Sequence, residues 1–520
     1  MAKEYFAHSR LLPFYIEWQT KPTNANYNLS FYYTLKTQHE TNVLVENLQK
    51  IIALSPPLRQ TFDIKKKRLI ATIHDELPAN IHFFNANAED FPALLNNLAK
   101  MPHDLNHRSS ISLNIIKLHE HYIVLFNIHH IIMDGLALDT FILNLNKLTA
   151  NEPIDIISAE QYIAAIKNED SPPCKLNQKQ KYYTAKINRA SEEIVYPKAN
   201  NTACYHYKET MTMALYQKLV AFSELHSISI FNLLLVINQL FISKLFNQKQ
   251  TIVDYPVNIR KNKSIDGCFV HLTSFLSNYK KNDSFFSIIQ SFKKNLNFYK
   301  TLPKYQTTQD HEMLLFPSFA ESSIAKPLPL KLNGHAYESD SFAQIAKSIL
   351  SIKYRTLNNT LYFTCDLPTD LFPEYLSKTI LKRFLNLVDA LIEHPNATIA
   401  NVPILMEQDV TLIRTINNNH SEYPKHKSIC QLFEEQAKKN PNNIALNDQN
   451  ETLTYIELNN KSNQLARYLL DELQVRPKDV VALFFSRSTS VIIAMLAVLK
   501  SGAAFVSLSQ NAPDTRITTI

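Results

Sequence analysis

Glycine is almost missing from this chain, with 4 residues in 520 where average usage is about 7 %. Asparagine, lysine and isoleucine are abundant instead, the bias an AT-rich coding sequence produces. Each remaining glycine should then stand where the backbone tolerates nothing else. The four are Gly135, Gly267, Gly334 and Gly502. Cysteine is scarce too. Cys174, Cys204, Cys268, Cys365 and Cys430 are odd in number, far apart and without a CxxC pair. That excludes a zinc pattern and a disulfide framework, and it fits a reducing, cytoplasmic setting. The opening MAKEYFAHSR has no apolar core, so no signal peptide is expected. The most apolar window, 228–246, is interrupted by Asn232, Asn238, Gln239, Ser243 and Lys244. It reads as a buried helix and not as a membrane span.

Charge of either sign is also thin as a recognition signal. Lys and Arg number 54 against 47 Asp and Glu, a net charge of +7 that is scattered along the chain. The densest basic run, Lys65-Lys66-Lys67-Arg68, reads as a solvated hairpin or loop. No nucleic-acid motif accompanies it, so no nucleic-acid partner is expected. The mild positive surface suits an acidic protein partner.

Enough is present to build large cores: 45 % of residues are hydrophobic, and the length suits three or four compact units. Residues 1 to about 170 mix strands and helices and end at the turn-rich Asn168-Glu169-Asp170-Ser171-Pro172-Pro173. Residues from about 176 to 400 mix both again, with one long helix expected near 214–247. Strand signals at 348–354 and 360–365 precede a helix over about 369–392. The polar stretch 417–424 reads as a linker. After it, helix and strand alternate as in an α/β layer.

The most informative string is His129-His130-Ile131-Ile132-Met133-Asp134-Gly135. Residues 121–128 before it alternate as a buried strand, with Tyr122, Val124, Phe126 and Ile128 on one face and Ile123, Leu125 and Asn127 on the other. Leu138, Phe141, Ile142, Leu145 and Leu148 after it repeat at helical spacing. The string therefore joins a strand end to a helix start. Continued strand geometry turns His129 and His130 to opposite sides, so only one faces a given cavity. For the same reason His129, His130 and Asp134 make an unlikely metal site, and no metal is expected. Imidazole suits proton transfer near neutrality, yet a single buried histidine at a strand end is more often a satisfied core residue. Asp134 stands where an N-cap belongs, and Gly135 lets a substrate approach the backbone.

The string resembles the HHxxxDG motif of condensation domains in nonribosomal peptide synthetases. The resemblance covers nearly all of residues 1–415. Tyr27-Asn28-Leu29 is similar to the start of their first strand. Ser55-Pro56-Pro57-Leu58-Arg59-Gln60-Thr61-Phe62 is similar to RHExLRTxF. Tyr255-Pro256-Val257-Asn258-Ile259-Arg260 and Gly267-Cys268-Phe269-Val270 resemble the Pro-Val-x-x-Arg and Gly-x-Phe-Val block, and residues 360–405 resemble the closing strand and helix. Residues 425–520 resemble the start of an adenylation domain, through Leu453-Thr454-Tyr455-Ile456-Glu457-Leu458 and Leu499-Lys500-Ser501-Gly502-Ala503-Ala504-Phe505-Val506. Departures are Arg108-Ser109 for a Gly-Pro, His271 for an Asn, and Ser507-Leu508-Ser509-Gln510 for Pro-Leu-Asp-Pro.

The resemblance implies an α/β (α+β) fold with two chloramphenicol-acetyltransferase-like lobes in a V around a central tunnel, plus a partial α/β adenylation subdomain. The expected division is 1–172 and 176–410 for the lobes, 411–425 for the linker and 426–520 for a truncated adenylation N-terminus. The implied reaction is peptide-bond formation between a donor acyl or peptidyl thioester and the amine of an acceptor aminoacyl thioester. Both would arrive on 4′-phosphopantetheine of carrier proteins, and no cofactor would be bound by the chain itself. His130 would orient the amine, and the Gly135 N–H would face the developing oxyanion. His129 would be structural, and Asp134 would pair with Arg59. The condensation-like part starts within about ten residues of Met1, so the donor carrier is expected in trans; the acceptor carrier is also a separate domain and the protein a monomer. Two rivals stand beside this reading: a non-catalytic docking module or decayed synthetase fragment, and a carrier-dependent acyltransferase with an alcohol acceptor.

Overall fold

The alternation around residue 125 produces the strand His121–His129 at the middle of a five-stranded sheet. It pairs antiparallel with Asn28–Leu35 on one side and Ile111–Leu118 on the other. Ser339–Ser341 and Asn80–Ala86 complete the two edges. Val124, Phe126 and Ile128 enter one core with Leu44, Leu48, Phe141 and Leu145. Ile123 and Leu125 enter a second with Leu98 and Ile116. The helices Gln38–Leu54 and Gly135–Thr149 supply the first set and Phe91–Ala99 the second. The period of two thus puts apolar side chains on both faces because helices cover both.

This computed structural model describes residues 2–8, 11–23, 25–169, 178–194, 196–197, 203–258, 260, 265–299, 317–322, 325–341, 348–449 and 451–520. The expected turn at 170–173, Cys174, the lobe limits at 172 and 176 and Ile259 lie outside the described residues. Two compact units emerge, Met1–Asp409 and Val410–Ile520.

A three-stranded sheet, Lys3–Phe6, Arg68–Ile73 and Gln60–Lys65, also belongs to the first lobe. The basic run is its hairpin turn. Lys65 pairs with Arg68, and Lys66 and Lys67 have φ of 52° and 61°. A two-residue hairpin of this hand needs positive φ at both positions, normally Asn-Gly. In a chain this short of glycine, lysine occupies them. Asn151, Asn247, Asn333, Asn358 and Asn359 take other left-handed positions, since asparagine tolerates that region better than most side chains.

The second lobe holds a six-stranded sheet in the order Val270–Asn278, Gln250–Asn258, Ser318–Glu321, Ser351–Leu357, Thr360–Pro368, Cys204–Thr210. The helices Ile230–Leu245 and Glu374–Glu393 bury Leu234, Val236, Phe241, Ile380 and Phe384 against it. The single helix expected near 214–247 is two, Met213–Leu225 and Ile230–Leu245, bent by 106°. Local chemistry breaks it. Ser227 has φ of 47°, Ser229 caps the second helix by accepting the Asn232 N–H, and the Ser223 hydroxyl donates to the Ile228 carbonyl at 2.5 Å. Hydrophobic periodicity is blind to this because both halves are apolar. Among the described residues no single helix is long and apolar enough to cross a membrane.

The lobes are not consecutive in sequence. Residues 330–341, counted with the second lobe by position, pack with the first. Leu330, Leu332 and Tyr337 lie in its core, and Ser339–Ser341 pairs antiparallel with Asn28–Leu35. Asn146 holds the crossing, its Nδ2 donating to the Pro329 carbonyl at 3.0 Å and its Oδ1 accepting the Lys331 N–H at 2.7 Å. Arg355 and Asp139 form a further ion pair between the lobes at 2.9 Å.

The unit Val410–Ile520 has helices Ile429–Lys439, Tyr455–Asp471 and Thr489–Lys500 around a parallel pair, Val480–Leu483 with Ala504–Ser507. The Leu453-Thr454-Tyr455-Ile456-Glu457-Leu458 string is a capping box: Thr454 accepts the Glu457 N–H and the Glu457 carboxylate accepts from Thr454.

Candidate active site

Two hydrogen bonds set the histidine pair at the strand end. The His129 N–H donates to the Ser110 carbonyl at 2.9 Å and the His130 N–H to the Tyr27 carbonyl at 2.8 Å. The rings then diverge, as strand geometry demands. His129 is buried, with its Nδ1 accepting the Ile131 N–H at 3.2 Å. Its ring meets Tyr27 and His103 edge-on, at 6.1 and 6.0 Å between centroids. His130 is partly exposed. It stacks on Phe14 at 5.5 Å with 20° between planes, and its Nδ1 lies 3.6 Å from Cys268 Sγ.

Behind His129 is a buried polar layer. Asn28 Nδ2 donates to the Met101 carbonyl at 2.9 Å, and Ser30 donates to Asn127 Oδ1 at 3.0 Å. Burial pushes the His103 imidazole down to about 4, against a smaller opposing effect from Asn127. His103 is therefore neutral at pH 7.

Asp134 is 1 % exposed and surrounded by donors. Its Oδ1 accepts the Ala137 N–H at 3.0 Å, capping the helix Gly135–Thr149. Its Oδ2 accepts the Phe269 N–H at 2.8 Å. Arg260 Nη2 reaches Oδ1 at 3.0 Å and Oδ2 at 3.1 Å, and also donates to the Gly267 carbonyl at 2.9 Å. The expected Asp134–Arg59 pair is therefore corrected to Asp134–Arg260. Arg59 closes the turn Pro56–Arg59 beside the three-stranded sheet, and its Nη1 donates to the His74 and Asp75 carbonyls, each at 2.8 Å. Arg260 reaches Asp134 from just beyond the strand Gln250–Asn258 of the second lobe. The two residues are 126 apart in sequence, a separation that no local pattern reports.

Gly267 justifies its retention. Its φ is 123°, and a Cβ there would lie 2.8 Å from the Tyr162 hydroxyl oxygen. Gly135 differs from expectation, since it is outside the positive-φ set and is the first helical residue after Asp134. Next to Gly267, burial raises the Asp266 carboxyl to about 6, with Arg260 lowering it and Asp134 raising it by smaller effects.

Three site residues were not singled out by sequence reasoning. Phe14 and His103 lie in unremarkable stretches. Cys268 was visible inside the Gly-Cys-Phe-Val string but had no signal linking it to His130. Among the described residues no group of three or more His, Cys, Asp or Glu side chains is arranged to hold a metal ion.

Comparison with known proteins identifies the family. Residues 14–413 match the condensation-domain family model, and residues 433–520 match that of AMP-binding enzymes. Gramicidin S synthase 2 of Brevibacillus brevis is 24 % identical over 95 % of this chain and 12 % of its own length. Tyrocidine synthase 2 of Brevibacillus parabrevis is 24 % identical over 97 % of this chain and 15 % of its own. The chain thus spans well under a quarter of the length of these relatives. Among solved structures, the four-domain nonribosomal peptide synthetase AB3403, bound to AMP and glycine, matches with a TM-score of 0.77 at 18 % identity, over the whole of this chain and 43 % of that one. The first condensation domain of the calcium-dependent antibiotic synthetase, in complex with a substrate analogue, matches with a TM-score of 0.63 at 13 % identity, over 78 % of this chain and 99 % of that domain. The two-lobed α/β fold is that of condensation domains, and by its match over residues 14–413 the chain belongs to the condensation-domain family.

Proposed function

We propose that this protein forms peptide bonds in nonribosomal peptide synthesis. A donor acyl or peptidyl thioester and an acceptor aminoacyl thioester meet at His130, each tethered through phosphopantetheine to a carrier domain. The acceptor amine nitrogen attacks the donor carbonyl. A C–N bond forms, the C–S bond breaks, and the amine proton ends on the departing thiol. Holding two tethered reactants in contact supplies much of the acceleration. His130 orients the amine through its ring and relays the proton. The Gly135 N–H, at the start of a helix, stabilises the oxyanion.

One observation carries the reading. Of the motif's three titratable side chains, His129 and Asp134 accept backbone N–H groups of their own turn, and Asp134 is further neutralised by Arg260. The His130 ring instead stands partly exposed between Phe14 and Cys268. The test is single-turnover formation of dipeptidyl carrier, followed by mass spectrometry, with donor-loaded and acceptor-loaded carriers. His130→Ala should reduce the rate by about 10²–10⁴ with the fold intact by circular dichroism. A rate near wild type would remove His130 from the mechanism.

A further inference from the structure

Cys268 stands beside His130 although 138 residues separate them in sequence. It is buried, and its Sγ lies 3.6 Å from His130 Nδ1, inside hydrogen-bond range for sulfur. Phe14 covers the ring face. Thiol and phenyl ring together therefore restrict both rotation of the imidazole and the chemistry of one nitrogen.

We propose that Cys268 is a positioning residue for His130, its sulfur accepting the Nδ1–H so that Nε2 is the ring's acceptor nitrogen for the incoming amine. The proposal rests on the peptide-bond reading above and deepens it. Two arguments support the direction of this bond. Burial raises the thiol, with Asp134 adding to the effect, so the group is S–H and not a thiolate that would charge the ring. Imidazole N–H is a strong donor and S–H a weak one, so satisfying the N–H and leaving the S–H over is the cheaper arrangement. A neutral imidazole carries one proton, and the group bonded to one nitrogen decides which tautomer the other presents. Partners that fix the tautomer of a histidine at metal sites alter activity by about 10- to 100-fold when removed, and the same scale applies to this contact.

The test uses Cys268→Ala and Cys268→Ser in the full chain, with ring-¹⁵N-labelled histidine and His130→Ala as the reference that assigns the signal. The wild type should show His130 as the Nδ1–H tautomer. Cys268→Ala should lose that preference and slow single-turnover transfer about 10- to 100-fold at unchanged carrier affinity. Cys268→Ser, which keeps an acceptor, should recover most of the rate and the tautomer. An Nε2–H signal in the wild type would overturn the proposal. So would Cys268→Ala and Cys268→Ser variants that are equally slow with the tautomer unmoved, because that pattern marks packing alone. If the wild type forms no dipeptidyl carrier, the peptide-bond reading fails; if His130→Ala transfers normally, the role of His130 fails and this inference with it; if only Cys268→Ala does, this inference fails by itself.

Discussion

Asp134 carries its charge at 1 % exposure, and that fact sets the energetics of the motif. Removing one partner of a buried ion pair leaves the other charge uncompensated and costs about 3–5 kcal/mol. Asp134→Ala and Arg260→Ala should each lose that much in urea unfolding. Arg59→Ala should lose about 2 kcal/mol, the scale of a charge-assisted hydrogen bond to carbonyl groups. A loss from Arg59→Ala equal to that from Arg260→Ala would contradict the pairing. Acid dependence adds a second residue-scale expectation. His103 titrates at about 4 in the fold and near 6.5 unfolded. Between those values the unfolded chain binds the extra proton, so this group removes about 3 kcal/mol as pH falls from 6.5 to 4. Asp266 titrates at about 6 in the fold and near 3.9 unfolded. Here the folded chain binds the extra proton, and about 3 kcal/mol is gained as pH falls from 6 to 4. The two effects nearly cancel in the wild type. Asp266→Asn should remove the gain and reveal the loss, read as urea midpoints at pH 6.5 and 4. A flat profile in Asp266→Asn would exclude His103 as a buried neutral imidazole.

At the scale of elements, the strand and helix joined by the motif were legible because each has a clean period, two before His129 and 3.6 after Gly135. The crossing segment was not. Leu330–Leu332, His335–Tyr337 and Ser339–Ser341 are three residues each, too short for any periodic signal; the first two pair with each other, and the groups that tie the segment to the first lobe, Asn146 and the strand Asn28–Leu35, lie more than 180 residues away. Asn146 secures them with two backbone hydrogen bonds from one amide. Asn146→Ala removes one part-buried and one exposed hydrogen bond and should cost about 1 kcal/mol. Hydrogen exchange should show faster opening of residues 330–341 while the six-stranded sheet keeps its protection. Unchanged exchange at 330–341 would mean that core packing of Leu330 and Leu332 holds the crossing alone.

For the molecule as a whole, the division into Met1–Asp409 and Val410–Ile520 predicts two unfolding transitions. The first unit has the large cores. The second keeps only small apolar clusters, with Ile444, Val480 and Phe484 at least half exposed. Apolar burial is the main favourable term in folding, so the smaller unit should melt first. Scanning calorimetry of the full chain should resolve a low, small transition and a higher, larger one, and a shortened chain ending at residue 409 should retain the higher one at the same temperature. One cooperative transition, lost as a whole on truncation, would mean that the units are energetically inseparable.

The sequence by itself determined what is local or motif-bound: the buried central strand, the cap at Asp134, the solvated basic run and the family resemblance that pointed to His130. These depend on residues within about one helical turn or on strand alternation, so the chain carries them without its fold. Tertiary structure alone decided the partners. Arg260 and not Arg59 neutralises Asp134, His103 lies behind His129, Phe14 and Cys268 hold the His130 ring, and residues 330–341 return to the first lobe. Each of those contacts joins segments that are distant in the chain and leave no periodic trace. Their pairing follows from which sheets the strands join, because only there do burial and the need to satisfy a buried charge select one arginine over another.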